Sequence, residues 1–235
     1  MRRFADLHLR PPLQNAEAIE RMAHLAAEIG LYLVGVTFDS QVSKETRMRV
    51  TEPFEVHGLK TVSRIDLRPK SRKELLRSLR IVRGPFDIVA VECSNTQVGS
   101  LAFRDRRIDL VFFSPEQTHS RLRWLMPRRS RRPIEVNIAD LLSYNLAPYD
   151  LQRSFNLVAE ARRRGMPIVA SSGASDQMAM RTPRDIAAIL SVLDLDTAQA
   201  TDSVSGVALS LAHTALSRRE PGFIAEGTRL VRTQP

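Results

Sequence analysis

Cysteine is almost missing from this chain of 235 residues, where Cys93 stands alone. A single thiol excludes an internal disulfide and any zinc site built from several cysteines. It sits in the apolar run Val-Ala-Val-Glu-Cys and reads as a core residue. Histidine is scarce as well, limited to His8, His24, His57, His119 and His213. A centre of several metal ions needs many convergent imidazoles and carboxylates, and this supply is thin for one. No apolar run approaches the roughly 18 residues of a membrane span, and the opening segment Met-Arg-Arg-Phe-Ala-Asp is too interrupted for a secretory leader. No Gly-x-Gly-x-x-Gly follows the first apolar run, and no Gly-x-Ser-x-Gly surrounds a serine. These absences argue against a disulfide scaffold, a helical membrane protein, a dinucleotide-binding enzyme and an elbow-type serine hydrolase. A reducing, cytoplasmic compartment is the expectation.

What is present is an apolar and strongly basic chain. Hydrophobic residues make up 43% of it, enough for one sizeable core, and no linker-like tract divides it, so a single domain over 1–235 is expected. The formal charge of +9 favours a polyanionic partner, because such an excess raises association with phosphate backbones more than it helps folding. Of the 35 basic residues only Lys44, Lys60, Lys70 and Lys73 are lysines. An arginine bias of this kind also follows from genome composition alone, and that explanation stays open.

Apolar runs of strand length recur at residues 4–9, 31–36, 60–67, 86–92, 106–113, 134–139 and 167–170. Between them lie segments with helical periodicity and recognisable ends. Asn15 caps a helix that Gly30 closes, with Ile19, Met22, Ala23, Ala26 and Ile29 on one face. A polar helical segment covers about 43–49, and Ser71 caps a helix whose Leu75, Leu76, Leu79 and Val82 form a stripe. Further helices are expected over 95–103, 118–125 and 149–164, the last with Leu151, Phe155, Val158 and Ala159 inward. Thr182-Pro183 with Asp185 is a capped helix start, and 202–217 reads as one more packed helix. Strands alternating with helices at a spacing of roughly 25 to 35 residues are the pattern of βα units on a parallel sheet. An open doubly wound sheet and a closed barrel both use such units. The missing glycine fingerprint favours an α/β, TIM-like (β/α) barrel with about seven clear strands, extra helices and an irregular or missing eighth strand near 197–201.

Three groups of residues carry candidate chemistry. Asp6 and His8 are two apart in the first strand and face one way, so they can converge at a barrel mouth. They resemble the opening Asp-x-His of the polymerase-and-histidinol-phosphatase metal phosphoesterases, although Arg10 stands where that pattern has its next histidine. His57 is the further ligand that a metal site of Asp6 and His8 would use, and this phosphoesterase is the alternative to a chain without a metal. The loop Ser171-Ser172-Gly173-Ala174 has little bulk and would let backbone N–H groups approach a phosphate, or simply let a strand and a helix pack closely.

The third group is basic. Arg121, Arg123, Arg128, Arg129, Arg131 and Arg132 crowd a link that also holds Trp124. Arginine forks match phosphate oxygens, and an aromatic neighbour adds a stacking surface, so RNA contact is the preferred reading over solvated charge. Lys70, Arg72, Lys73, Arg77, Arg80 and Arg83 follow one helix, where an ordinary solvent face is as good an explanation. Arg104, Arg106 and Arg107 precede a strand, and hence lie on the N-terminal side of a barrel.

Several of these segments coincide with one family. The strand Phe-Ala-Asp-Leu-His-Leu-Arg-Pro at 4–11, Ser-Arg-Ile-Asp-Leu-Arg-Pro at 63–69, Arg-Asp-Arg-Arg-Ile-Asp-Leu-Val-Phe-Phe at 104–113, and Pro-Ile-Val-Ala-Ser-Ser-Gly-Ala followed by Met-Arg-Thr-Pro-Arg-Asp at 167–185 carry the match. The chain resembles protein component 3 of archaeal and eukaryotic ribonuclease P, the thirty-kilodalton subunit family. The resemblance implies a barrel that has lost metal chemistry, with no catalytic residue and no cofactor of its own. It implies an accessory subunit that supports the RNA cleaving the 5′ leader from precursor tRNA. Mg²⁺ would then be bound through the RNA. Protein component 2, a small ferredoxin-like subunit, is the implied partner in a heterotetramer, alongside the other ribonuclease P proteins. Arg107 and Arg181 are the first implied RNA contacts and Arg184 the next.

Overall fold

Asn15, Ser71, Asn95 and Thr182 each accept a backbone N–H from the first turn of the helix that follows. In the computed structural model, which describes residues 2–113, 126, 130–142, 148–220, 223–225 and 228–229, these caps open four of the helices. The helices are α1 (Ala16–Glu28), α2 (Lys44–Val56), α3 (Arg72–Val82), α4 (Thr96–Ala102), α5 (Ile138–Leu141), α6 (Pro148–Arg163), α7 (Pro183–Val192), α8 (Thr197–Ser203) and α9 (Gly206–Ser217). α2 runs well past the expected 43–49 because Val50 and Phe54, one turn apart, anchor its second half in the core. α6 buries Leu157, Val158 and Ala161, whereas Phe155 and Ala159 are half-buried and the side chain of Leu151 lies outside the described residues. The segment offers two overlapping apolar stripes, and packing takes the one set by i, i+1 and i+4. The expected short helix at 118–125 also lies outside the described residues.

The strands β1 (Phe4–Leu9), β2 (Leu31–Thr37), β3 (Lys60–Leu67), β4 (Ile88–Glu92), β5 (Leu110–Phe112), β6 (Ile134–Asn137) and β7 (Ile168–Ser171) form one parallel sheet in sequence order. A small antiparallel pair, β8 (Phe223–Ala225) and β9 (Thr228–Arg229), makes a separate sheet. β5 is shorter than the expected 106–113, since Asp105 accepts the backbone N–H of Arg107 and bends the chain before the strand begins.

Alternation along the strands separates two apolar layers, as a barrel requires. Leu7, Leu33, Val62, Ile88, Leu110 and Val169 pack inside, while Leu9, Val34, Ile65, Val89, Ile134 and Ala170 pack outward among the helices. α9 joins the inner layer through Ala208, Ala212 and Ala215, whose small size lets the helix lie close under the strands. Just after it, Arg218 and Arg219 pair with Asp109 and Asp87, which stand at the starts of β5 and β4. The helix therefore closes the N-terminal end of the barrel.

Of the irregular or missing eighth strand expected near 197–201, the missing one holds: that segment is α8. The expected single helix at 202–217 is instead two helices, broken where the carbonyl of Val204 accepts the N–H of Ala5 at 2.9 Å. That bond and two others bridge the seam between β1 and β7. Arg10 N–H donates to the Ala174 carbonyl at 2.8 Å, and Ser172 N–H donates to the Asp6 carboxylate at 3.2 Å. A turn and side chains thus stand where a strand ladder would have closed the barrel.

Candidate functional site

The mouth of the barrel is shaped by an irregularity in β1. Asp6 pairs with Val34 and Leu9 with Val36, so β1 takes three steps where β2 takes two. This is a β-bulge, and it re-aims the residues within it. Gly35 faces the bulge, where a Cβ would stand 2.5 Å from the Leu7 carbonyl oxygen. With no side chain there, that carbonyl turns inward and His8 points into the mouth.

Arg64 fills the space they face. It is wholly buried on β3, and its fork donates to both carboxylate oxygens of Glu135 on β6 at 2.5 Å each. Nε donates to Asp66 at 2.7 Å, and Nη1 also reaches the Leu7 carbonyl at 3.1 Å. Ser171 at the end of β7 donates its hydroxyl to Glu135 at 2.7 Å. Burial alone would raise both carboxylic acids, but the charge of Arg64, with His8 behind it, outweighs burial and holds Asp66 and Glu135 well below the usual range. Burial pulls the Arg64 guanidinium the other way, and the same two carboxylates overcome it and keep the group charged.

His8 lies against this cluster. Its Nε2 has two neighbours with opposite demands: Nε of Arg10 at 2.8 Å, which can only donate, and Asp66 Oδ2 at 3.1 Å, which accepts from a protonated ring. Nδ1 is 3.5 Å from Glu135 Oε2. Burial and Arg64 oppose a charge on the ring, while Glu135 and Asp66 outweigh them and raise its proton affinity. The Arg10 bond needs Nε2 without a hydrogen, and the Asp66 bond needs a hydrogen on Nε2. At the rim, Arg68 approaches Glu92 at 3.8 Å and lies over the Phe112 ring at 5.9 Å.

A carboxylate pair and an imidazole across a barrel mouth resemble the donor set of a divalent metal. Here the donors do not fit one, because the guanidinium of Arg64 stands among them and takes three of their oxygens. Among the described residues no group of three or more His, Cys, Asp or Glu could hold a metal ion. The alternative set of Asp6, His8 and His57 is not brought together. Asp6 turns away from the mouth, accepts the N–H groups of His8 and Ser172, and is raised by burial despite those bonds. His57 follows α2, with Glu20 of α1 at 2.7 Å and the His24 ring centroid at 5.4 Å.

The Ser171–Ala174 loop spends its polar groups internally and is no phosphate cradle. Besides the Ser171 and Ser172 bonds already given, the Ser172 hydroxyl accepts the Ala174 N–H at 3.1 Å and its carbonyl accepts Ala139 N–H at 2.9 Å. Gly173 has φ +68°, and a Cβ on it would stand 2.1 Å from the Asn137 side-chain oxygen. The loop is a site of close packing against α5.

The expected RNA contacts do not converge on one spot. Arg181 and Arg184 follow β7 and Lys70 follows β3, which puts them on the C-terminal side of the barrel. The Arg181 guanidinium donates to the carbonyls of Met178 and Met180 at 2.7 Å each, and Arg184 is exposed. Arg107 precedes β5 and is tied to Asp105 through two bonds of 2.9 and 2.7 Å. Arg131 and Arg132 precede β6; Arg131 is exposed, and burial lowers the half-buried Arg132 despite nearby Asp109 and Asp105. Arg128 and Arg129 lie outside the described residues. Arg64, Asp66 and Glu135, the core of the mouth, were not singled out in the sequence. Their signal is a charged residue at the inward positions of otherwise apolar strands.

Comparison with known proteins agrees with this geometry. The chain matches the family described as RNase P subunit p30 over residues 3–220. It is 25% identical over 170 residues to ribonuclease P protein component 3 of Methanococcus maripaludis, covering 68% of this chain and 72% of that one. It is 19% identical over 242 residues to the same component of Methanococcoides burtonii, covering 100% and 96%. A chain in the structure of archaeal ribonuclease P with mature tRNA superposes with a TM-score of 0.75 at 18% identity, over 97% of this chain and 99% of that one. A barrel fold is also shared with a dihydroorotase from Campylobacter jejuni, at TM-score 0.58, 11% identity and coverage of 91% and 84%. The chain belongs to the RNase P subunit p30 family.

Proposed function

We propose that this chain, a protein subunit of ribonuclease P in tRNA processing, performs no bond breaking itself and supports the RNA that cleaves the 5′ leader from precursor tRNA. The observation that carries this reading is the mouth locked by Arg64. The place where a barrel enzyme gathers its reactive groups is filled by a guanidinium bound to Glu135, Asp66 and the Leu7 carbonyl. Two further nucleophilic side chains are committed within the fold. Ser171 donates to Glu135, and Cys93 is buried, with its thiol pushed up by burial first and by Glu92 second.

Positive charge is the chain's contribution to the assembly, because neutralising crowded phosphates lets RNA fold and retain Mg²⁺. No cofactor is assigned to this chain, and Mg²⁺ is held through the RNA. Arg181, Arg184, Lys70 and Arg131 carry charge with no carboxylate partner among the described residues, and they are the leading contacts. Arg107 and Arg132 stand second, being tied to Asp105 and half-buried respectively. The likeness to a chain of archaeal ribonuclease P with mature tRNA supports the ribonuclease P RNA and tRNA as partners. Protein component 2, in a heterotetramer, and the remaining ribonuclease P proteins complete the proposed assembly, which works in the cytoplasm. Among the described residues no helix is long and apolar enough to cross a membrane. Reconstitution with the RNA and the other proteins tests the reading. Adding the chain raises precursor-tRNA cleavage at limiting Mg²⁺, and Arg181→Ala weakens that gain. Equal cleavage with and without the chain overturns it.

A further inference from the structure

Much of the arginine excess is neutralised within the fold. Arg83 and Arg218 share Asp109, Arg219 takes Asp87, Arg107 takes Asp105, and Arg163 and Arg164 share Glu160. The flank formed by α3 and α4 is different. Two adjoining cavities of about 550 and about 790 Å³ run between these helices and share Arg72 and Gln97 in their walls. Five cations line them, Arg72, Lys73, Arg77, Arg80 and Arg104, and no acidic residue does. All five are exposed, and none has an ion pair among the described residues. The one acid of the first turn of α3, Glu74, is turned away to accept the Lys70 N–H at 2.8 Å.

This arrangement suits one kind of ligand. Like charges gathered along a groove repel one another, and an anionic ligand of matching length relieves that repulsion. Arg72 and Arg80 are eight residues apart on one helix, a rise of roughly 12 Å. One strand of a duplex carries about one charge per 3.4 Å of helix axis, so that reach, measured along such an axis, matches three to four phosphates. Thr96, Gln97 and Ser100 on the opposite wall supply neutral hydrogen-bonding groups, and Leu76 and Leu101 supply apolar contact. No aromatic ring lines the groove, so it offers no aromatic platform for bases.

We propose that the groove between α3 and α4 is a binding track for the phosphodiester backbone of RNA, held by charge and hydrogen bonding without regard to base sequence. The proposal rests on the reading of the chain as an RNA-supporting subunit. It moves the main contact from the arginine-dense link and the Arg181 loop to a flank whose charges an ordinary solvent face explained equally well in the sequence.

Filter binding of the full-length chain to labelled bulk tRNA and to a uridine oligonucleotide, across a salt series, tests it. The variant Arg72→Gln/Arg77→Gln/Arg80→Gln is compared with Lys44→Gln/Arg49→Gln/Arg106→Gln, which removes the same charge from exposed positions elsewhere. The groove variant is expected to lose about two to three units from the slope of log affinity against log salt, and roughly 50- to 150-fold in affinity near 0.15 M salt. The control variant keeps most of both, and lysines at the three groove positions restore binding. An unchanged slope in the groove variant, an equal loss in the control, or a lysine variant as weak as the glutamine one overturns the groove. Absence of salt-dependent RNA binding by the unmodified chain overturns it too, whereas the RNA-supporting reading itself stands or falls separately on the omission assay above.

Discussion

Arg64→Met removes a fully buried guanidinium that touches four oxygens, two of Glu135 at 2.5 Å, one of Asp66 at 2.7 Å and the Leu7 carbonyl at 3.1 Å. Methionine replaces the stem and leaves Glu135, whose side chain is 0% exposed, and Asp66, at 12%, without their cation. Breaking a buried pair from one side costs about 3–5 kcal/mol, a large share of the roughly 5–15 kcal/mol that holds a domain together. For a domain of this size that is a fall in Tm of roughly 6–20 °C. The pH dependence is more diagnostic than the size. In the native chain Asp66 and Glu135 are held below their unfolded values, so their contribution is present above about pH 4 and is lost as pH falls through the folded values. In the variant, burial is opposed only by His8 and is expected to push the acids above their unfolded values. Their protonated forms then favour the folded state, and stability declines as pH rises. The gap between variant and native chain is therefore expected to be smaller at pH 5 than at pH 7.5. Arg64→Met/Glu135→Leu, which removes both sides of the main pair, recovers a large part of the loss. Thermal melts followed by circular dichroism at the two pH values decide the matter. A Tm loss below about 2 °C, or a gap that widens toward pH 5, refutes the argument.

Gly35→Ala places a methyl group 2.5 Å from the Leu7 carbonyl oxygen, a backbone atom of the bulge that cannot swing aside. The expected cost is about 1–3 kcal/mol in denaturant unfolding, and an unchanged midpoint would show that β1 yields freely. Cys93 is 2% exposed with its thiol proton held more tightly than usual, so the native chain is expected to resist iodoacetamide at pH 8 and to react once unfolded. Rapid native labelling, read by mass spectrometry, contradicts that placement.

The fold was legible where local chemistry decides. Asn15, Ser71, Asn95 and Thr182-Pro183 announce helix starts within a few residues, and β1 and β3 occupy the expected 4–9 and 60–67. It was less legible where distant partners decide. β5 is cut short by the Asp105–Arg107 turn, and the 202–217 stretch divides because Val204 bonds to Ala5, about two hundred residues away in the chain. Apart from the local Arg64–Asp66 bond, the mouth depends on pairings separated by 57 and 71 residues, so nothing near either residue announces that Arg64 meets Glu135. Asp6-x-His8 drew attention for its metal chemistry. The bulge sends the two side chains to different surroundings, which a regular strand does not do.

The central claim is that the barrel mouth is a structural plug while the chain works by supporting RNA. It is tested most directly by precursor-tRNA cleavage in the reconstituted ribonucleoprotein containing the native chain, lacking it, or containing His8→Gln, all below the melting temperature of the variant. The account predicts that omission lowers the rate at limiting Mg²⁺ while His8→Gln, once folded and assembled, cleaves at close to the native rate. A His8→Gln assembly as inactive as the one lacking the chain, with RNA binding retained, would contradict it and return the mouth to chemistry.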